Sequence, residues 1–526
     1  MLLWWQRGVI YQIYPLSFQD ADGDGQGDLQ GIRARLDYLE WLGVDAIWIS
    51  PLYPSPMKDC GYDVADYCDI APRFGTLADF DALVADAHAR DIKVILDFVP
   101  NHSSDQHPWF NESRSARDSP KRDWYIWRDP APDGGPPNNW VSNFGGSAWT
   151  LDEATGQYYY HAFLKEQPDL NWRNPDVRAA MYDVLRFWLD RGVDGFRVDV
   201  LWHLMKDAQL RDNPPNPSYS PGDASHRRVL PVHSADQPEI FDVLAEMRRV
   251  VDAYPARVLI GEIYLPLERL VAYYGKEGTG VHLPFNFQLI LAPWNAAEIV
   301  RIIEEYERLV PPGEWPNWVL GNHDQRRIAT RVGAAQARVA AMLLLTLRGT
   351  PTLYYGDELG MENVAIAPEQ VQDTWARSEP GVAGRDPERT PMQWDSSANA
   401  GFTRGKPWLP VGPEYERVNA AALGEDPASI LTLYRRLIEM RRRRAALVSG
   451  AKRLVSAPEN VIAYERIHGT ERLFVALNLG AEPRELNAVE GALLLSTHLD
   501  REGERVQGTL HLRGNEGALV TIAARY

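Results

Sequence analysis

The 526 residues predict a parallel (β/α)8 barrel with an inserted subdomain after strand three and a closing antiparallel β-domain. Three observations point there. Short runs rich in Val, Ile, Tyr and Trp alternate with longer amphipathic stretches, eight strands in all, and strand–helix alternation of this kind builds a (β/α)8 barrel. Residues 101–171 break the alternation with a stretch dense in Pro, Gly, Asn, Trp and Tyr, too long for an ordinary loop. From residue 455 the pattern becomes short and period-two, as in "ENVIAYERIHGTERLFVALNLG", which predicts antiparallel strands.

The first three strands are read at "GVIYQIYP" (8–15), "VDAIWISP" (44–51) and "IKVILDFVP" (92–100). Strands four and five follow at "GFRVDV" (195–200) and "RVLIGEI" (257–263), and strand six at "HLPFNF" (282–287). "WPNWVLG" (315–321) and "GTPTLYYGD" (349–357) complete the set. Each is a β-branched or aromatic run between turn formers. The patterns "LQGIRARLDYLEWLG" (29–43) and "VRAAMYDVLRFWLDRG" (177–192) space their apolar residues as helices do. The barrel therefore spans 1–100 and 172–454, the insert 101–171, and a β-sandwich-like domain 455–526.

The totals narrow the function. Forty-five per cent hydrophobic residues supply a core, and 55 basic against 72 acidic residues leave a net charge of −17. That balance argues against nucleic acid or anionic membrane as partner and says nothing against a neutral ligand. Eighteen tryptophans and 23 tyrosines offer the flat faces that sugars pack on. Cys60 and Cys68 are too few for a disulfide scaffold and are expected to be reduced packing residues. "MLLWWQRGVIYQIYP" lacks the features of a signal peptide, and no apolar run matches a bilayer, so a cytoplasmic location is expected.

"DADGDGQGD" (20–28) alternates carboxylates with small residues, the way a hard cation is wrapped. An EF-hand needs an acid at its twelfth position, and Gly31 stands there. A calcium sensor is excluded; a structural ion and a solvated acidic turn both remain open.

In a (β/α)8 barrel, chemistry gathers at the C-terminal ends of the strands. Asp97 ends strand three, Asp199 strand four and Glu262 strand five, and Asp324 follows strand seven. Arg197, two residues before Asp199, shares its face and can hold that carboxylate ionised. His102 and His323 sit beside these acids in sequence and can bond hydroxyls. Paired carboxylates on neighbouring strands suit glycoside chemistry, one as nucleophile or base and the other as acid. A metal-dependent hydrolase would want histidines on strand one, which carries Tyr11, Gln12 and Tyr14 instead.

The segments "GYDVADY", "DFVPNHSS", "QPDLNW", "GFRVDV", "GEIY", "GNHDQ" and "GRDPERTPMQW", in this order, resemble the α-amylase superfamily, glycoside hydrolase family thirteen. "QPDLNW" and "RTPMQW" are similar to its α-glucosidase and oligo-1,6-glucosidase branch. The resemblance implies that Asp199 is the nucleophile, Glu262 the acid and base, and Asp324 the third carboxylate favouring the distorted sugar. It implies that Asp59, Tyr62, His102, Arg197, His323 and Arg385 bind the terminal glucose, that Phe144 and Phe163 wall the pocket, and that Gln167 approaches the substrate. The two Phe positions fit plain packing of the insert equally well. It also implies a structural calcium, in some members magnesium, on Asp20, Asp22, Asp24, the Gln26 carbonyl and Asp28, and no organic cofactor. The implied partner is a small oligosaccharide.

Val200, next to the nucleophile, accompanies α-1,6 activity in similar enzymes, where Thr or Ala accompanies α-1,4 preference. The implied activity is an exo-acting, retaining α-glucosidase taking isomaltose-like sugars. A transglucosylase or sucrose isomerase on the same scaffold is the alternative, since every catalytic residue is shared. A non-catalytic relative of a transporter heavy chain is disfavoured by the presence of all three acids. The segments 201–223 and 361–386 depart from the branch and border the leaving-sugar side.

Overall fold

The computed structural model describes residues 2–379 and 384–522. All eight expected barrel strands form: β1 (Ile10–Ile13), β2 (Ala46–Ile49), β3 (Lys93–Phe98), β4 (Gly195–Val198), β5 (Val258–Ile263), β6 (Leu283–Asn286), β7 (Asn317–Val319) and β8 (Thr350–Tyr354). They lie in one parallel sheet in the order β7-β8-β1-β2-β3-β4-β5-β6, an almost closed cylinder. Parallel strands covered by helices are buried on both faces. Every residue of β1, β2, β4 and β5 is accordingly buried, including the polar Gln12, Arg197 and Glu262.

The helix expected over 29–43 forms as two, Leu29–Ala34 and Leu36–Leu42. Arg35 leaves helical geometry between them (φ −106°, ψ 8°). Its Nε donates to Gln19 Oε1 at 2.6 Å and its guanidinium lies 4.1 Å from the centre of the Trp394 ring. The break therefore answers a tertiary contact. The helix before β4, Pro175–Asp190, starts as its sequence suggests: Asn174 caps the Asp176 amide and proline takes the first turn.

The insert contains a helix, Pro108–Arg114, and a three-stranded antiparallel sheet of Trp127–Arg128, Trp149–Asp152 and Gln157–Tyr160. Phe110 packs against Tyr125, Trp127 and Tyr159, so these aromatic side chains serve as core. The insert is tied to the barrel by a buried ion pair, Lys206 Nζ to Asp169 Oδ2 at 2.5 Å, with Asn101 Oδ1 at 2.9 Å from the same ammonium.

The closing domain is one six-stranded antiparallel sheet whose first strand, Ala451–Val455, begins just ahead of residue 455. Its strands alternate faces: Ile462 and Tyr464 join the barrel core, while Val461 and Ala463 join a separate cluster. The strand Arg484–Ser496 has irregular register at Asn487/Val489 and Leu493/Leu495, and bulges bend strands. The sandwich-like domain thus takes the form of one bent sheet. Among the described residues no helix is long and apolar enough to cross a membrane.

Candidate active site

The acids meet at the C-terminal mouth of the cylinder, around Arg197. This side chain is fully buried. Its Nη1 donates to Asp97 Oδ1 at 2.8 Å and to Asp199 Oδ1 at 2.6 Å, and its Nη2 lies 2.8 Å from Glu262 Oε2. Strand alternation brings residues 197 and 199 to one face, and β3 and β5 flank β4 on either side. Three acids around one guanidinium leave excess negative charge. Burial pushes both Asp199 and Glu262 upward, with their mutual proximity adding to it for Asp199 and Asp324 adding to it for Glu262. Burial also raises Asp97, to about 6. A proton is therefore retained in the cluster. The short bond from Arg197 favours the anion on Asp199. Glu262 Oε2 faces Arg197 and accepts the Val200 amide at 2.8 Å, which leaves Oε1 to carry the proton.

Val200 has φ +34° and ψ 44°, a left-handed conformation that is costly for a β-branched residue. That turn aims its amide at Glu262. A site residue in strained backbone is held there by its surroundings, here by the Glu262 bond.

A second network lies behind the first. Gln12 Nε2 donates to His323 Nδ1 at 2.7 Å, which puts the ring proton on Nε2, 2.7 Å from Tyr62 Oη and 3.3 Å from Asp324 Oδ2. Tyr62 Oη in turn donates to Asp97 Oδ2 at 3.1 Å. Burial holds His323 well below its ordinary pKa and His102 down to about 4, so both are neutral at neutral pH.

Across the pocket, Arg385 Nη2 donates to Asp59 Oδ1 at 2.7 Å and Asp373 Oδ1 at 2.8 Å, and Arg389 Nη2 donates to Asp324 Oδ1 at 2.7 Å. Burial pushes Asp324 up, but the charges around it, Arg385 and Arg389 among them, outweigh it and hold the carboxylate below its usual range. Gln167 is fully buried and contacts Asp59 Oδ2 and His102 Nε2, each at 3.1 Å. It does not line the cavity; it reaches the pocket through those two residues.

The enclosed space is a cavity of about 450 Å³. Asp59, Tyr62, His102, Asp199, Glu262, Asp324 and Arg385 line it together with Phe144, Phe163 and Val200, whereas Arg197, Gln167 and His323 stand behind this lining. Both Phe positions thus face the pocket as well as packing: Phe144 stacks on Trp375 at 5.5 Å and Phe163 meets His102 at 5.3 Å. Sequence reading missed Arg389, Asp373, Trp375 and the lining segment 226–231. Arg389 was within reach, four residues past Arg385 in "GRDPERTPMQW". Asp373 and Trp375 lie in the divergent stretch 361–386, of which 380–383 fall outside the described residues.

The acidic loop follows β1 by way of the helix Pro15–Phe18. Asp20, Asp22 and Asp28 bring carboxylate oxygens within 4.8 Å of one another, and Asp24 stands outside this group. Asp20 accepts the Gly23 and Gly25 amides at 2.6 and 2.8 Å. A Cβ on Gly25, at φ +97°, would sit 1.9 Å from the Lys406 carbonyl, so only glycine fits. Burial raises Asp28, and the charges of Asp22 and Asp20 add to it. A hard divalent cation on these oxygens would relieve that repulsion, so the residues fit one. The loop is sewn to the Arg389 segment: Met392 N donates to Ser17 O at 2.8 Å, Trp394 Nε1 to Phe18 O at 2.7 Å, and Asp20 N to Phe402 O at 3.1 Å. Cys60 and Cys68 are free thiols.

Comparison with known proteins gives this geometry its context. Residues 12–450 match the model of the α-amylase catalytic domain. A probable α-glucosidase of Rhizobium meliloti (strain 1021) is 42% identical over 95% of both chains. An oligo-1,6-glucosidase of Halalkalibacterium halodurans is 40% identical, again over 95% of both. The crystal structure of an α-glucosyl transfer enzyme, XgtA, superposes with a TM-score of 0.94 at 41% identity, covering 99% of this chain and 100% of that one. With these relatives spanning nearly its whole length, the chain belongs to the α-amylase superfamily, glycoside hydrolase family thirteen, as a glycoside hydrolase of the α-glucosidase and oligo-1,6-glucosidase type.

Proposed function

We propose that this chain is an exo-acting, retaining α-glucosidase that removes the terminal glucose from short α-glucosides, isomaltose-like sugars included. The observation that supports this reading is the Asp59–Arg385 ion pair, which lines the same cavity as Asp199 and Glu262 and on this reading stops its end. A sugar chain cannot run through such a stop, so only a chain end reaches the acids.

In the first step an Asp199 oxygen attacks the anomeric carbon while Glu262 gives its proton to the departing glycosidic oxygen. In the second, Glu262, now a carboxylate, takes a proton from water, whose oxygen displaces Asp199 from the same carbon. Two inversions return the α-configuration. A retaining pair of carboxyl groups stands ~5–5.5 Å apart, and the shared Arg197 supports such closeness. Asp324, held ionised, receives the ring hydroxyls and stabilises positive charge as it develops at the anomeric carbon.

Asp20, Asp22 and Asp28, with Asp24 and the Gln26 carbonyl as neighbours in the loop, would hold a structural calcium. The ion would pin the loop and take no part in bond cleavage.

A product-resolved assay on isomaltose, maltose, trehalose and sucrose, with Asp199→Asn as blank, tests the reading. Release of α-glucose from isomaltose is expected; a strong preference for maltose would remove the support drawn from Val200. Transfer is the second reading, favoured by the likeness to a glucosyl-transfer enzyme. It predicts longer sugars as the main products at high substrate concentration.

A further inference from the structure

The leaving-sugar side of the pocket is roofed by three chain segments that meet at one carboxylate. Glu379 Oε1 accepts the backbone amide of Ser225 at 2.6 Å, and its Oε2 accepts Trp375 Nε1 at 3.1 Å. Trp375 stacks on Phe144 of the insert. Gly145, next to Phe144, lies so close that an added Cβ would stand 3.1 Å from Glu379 and 3.2 Å from Ser225 Oγ. Loops after β3, β4 and β8 are therefore clasped together by a side chain with no direct part in the chemistry.

What the clasp holds is thin. Ser225–Arg228 is a single 3-10 turn. On one side His226 and Arg227 line the main cavity; on the other, Ser225 and Arg228 line a second cavity of about 310 Å³, and Val141 borders both. The Ser225 side chain also bonds the Glu379 carboxylate, and the His226 ring meets Trp375 at 6.4 Å. Asn216 anchors the far end of the turn, its amide donating to Arg228 O at 2.9 Å and its Nδ2 to Arg227 O at 2.8 Å, so the Glu379 bond is the tie that holds the first residue to the loop after β8.

We propose that Glu379 is a positioning residue that latches Ser225–Arg228 across the leaving-sugar side and so restricts the leaving group to a short one. Releasing the latch joins the two cavities and admits a longer leaving group. This rests on the glucosidase reading above for the identity of the sugars, but the latch itself does not.

Two variants cut the same bond from opposite sides. Glu379→Ala removes the acceptor. Ser225→Pro removes the donor at the first position of the turn, where proline is tolerated, after an Ala224 already extended at φ −54°, ψ 138°. Each is expected to raise the isomaltotriose-to-isomaltose ratio of kcat/KM about fivefold or more, mainly through KM, within the range one pocket contact commands. The double variant is expected to match Glu379→Ala, because the bond that Ser225→Pro removes is already lost there together with the one to Trp375. Ratios unchanged in both single variants, or additive effects, overturn the proposal. Hydrogen exchange of the His226–Arg228 amides in the sugar-free full chain gives a reading that needs no substrate. Faster exchange in Glu379→Ala is expected, and unchanged protection overturns the latch. A wild type inactive on both sugars would defeat the glucosidase reading instead, and the exchange result would still judge the latch.

Discussion

Replacing Arg197 by Gln should move the pH profile of the enzyme, not merely lower it. The guanidinium touches Asp97, Asp199 and Glu262 at 2.6–2.8 Å and is fully buried. It lowers the proton affinity of both Asp199 and Glu262 against the upward push of burial. One unit charge about 4 Å away, at an effective dielectric near 20, is worth about 4 kcal/mol, or roughly three pKa units. The acid limb of the profile is set by ionisation of Asp199 and the basic limb by loss of the Glu262 proton. Without Arg197 both limbs should rise together. At a pH below the new acid limb, kcat/KM should fall by about 10²–10³, with partial recovery toward alkaline pH. The assay is kcat/KM on isomaltose between about pH 4.5 and 9, with Asp199→Asn as blank and Tm recorded at each pH. A profile that keeps its position while its height drops would refute the reasoning, since Arg197 would then act by packing and not by charge.

Other perturbations have expected outcomes of their own. Asp373→Asn removes the charge on the partner of Arg385 Nε and Nη2, bonds of 3.1 and 2.8 Å, and should cut kcat/KM about 10- to 100-fold; a change under about twofold would mean that Asp59 alone positions Arg385. Dialysis against a chelator should lower Tm and added calcium restore it, and Asp22→Asn should abolish that response; a Tm indifferent to both argues for a solvated turn. Acidification should withdraw the stability that the buried neutral histidines lend. Burial lowers His102, His107 and His161 to about 4, and His203 and His282 to about 3. The unfolded chain therefore takes up protons that the folded one refuses, and the stability these groups lend, full above about 6.5, is lost as pH falls toward 4. Each costs about 2 kcal/mol between pH 7 and 5. Buried acids work the other way: Asp63 and Asp97 are raised to about 6, Asp357 to about 7 and Glu388 to about 8, all mainly by burial, and Asp199 and Glu262 are raised as well, so the whole chain shows only the difference. His282→Gln should remove one histidine's share and make the Tm of the variant less sensitive to acid between pH 7 and 5 than the wild type's; equal slopes would contradict the reasoning.

The strands were legible because parallel strands buried on both faces need unbroken β-branched and aromatic runs, and such runs stand out between glycines and prolines. The clustered acids were legible because barrel strands deliver their last residues to one mouth. What the sequence hid depends on contacts between distant segments. The break at Arg35 is explained only by Gln19 and Trp394. Gln167, expected near substrate, is buried within the insert and reaches the pocket through Asp59 and His102.

The most informative hidden feature is how charge is shared out. On one side, Asp97, Asp199 and Glu262 surround Arg197 alone; on the other, Asp59, Asp324 and Asp373 share Arg385 and Arg389. The first set is short of positive charge and must keep a proton, which is what an acid catalyst needs. The second is more nearly balanced: its Asp324 and Asp373 are held low, which suits carboxylates that receive hydroxyls and never donate. On the proposed mechanism the same residue types therefore serve acid catalysis on one side of a single cavity and sugar binding on the other, and placing one further arginine decides which side is which.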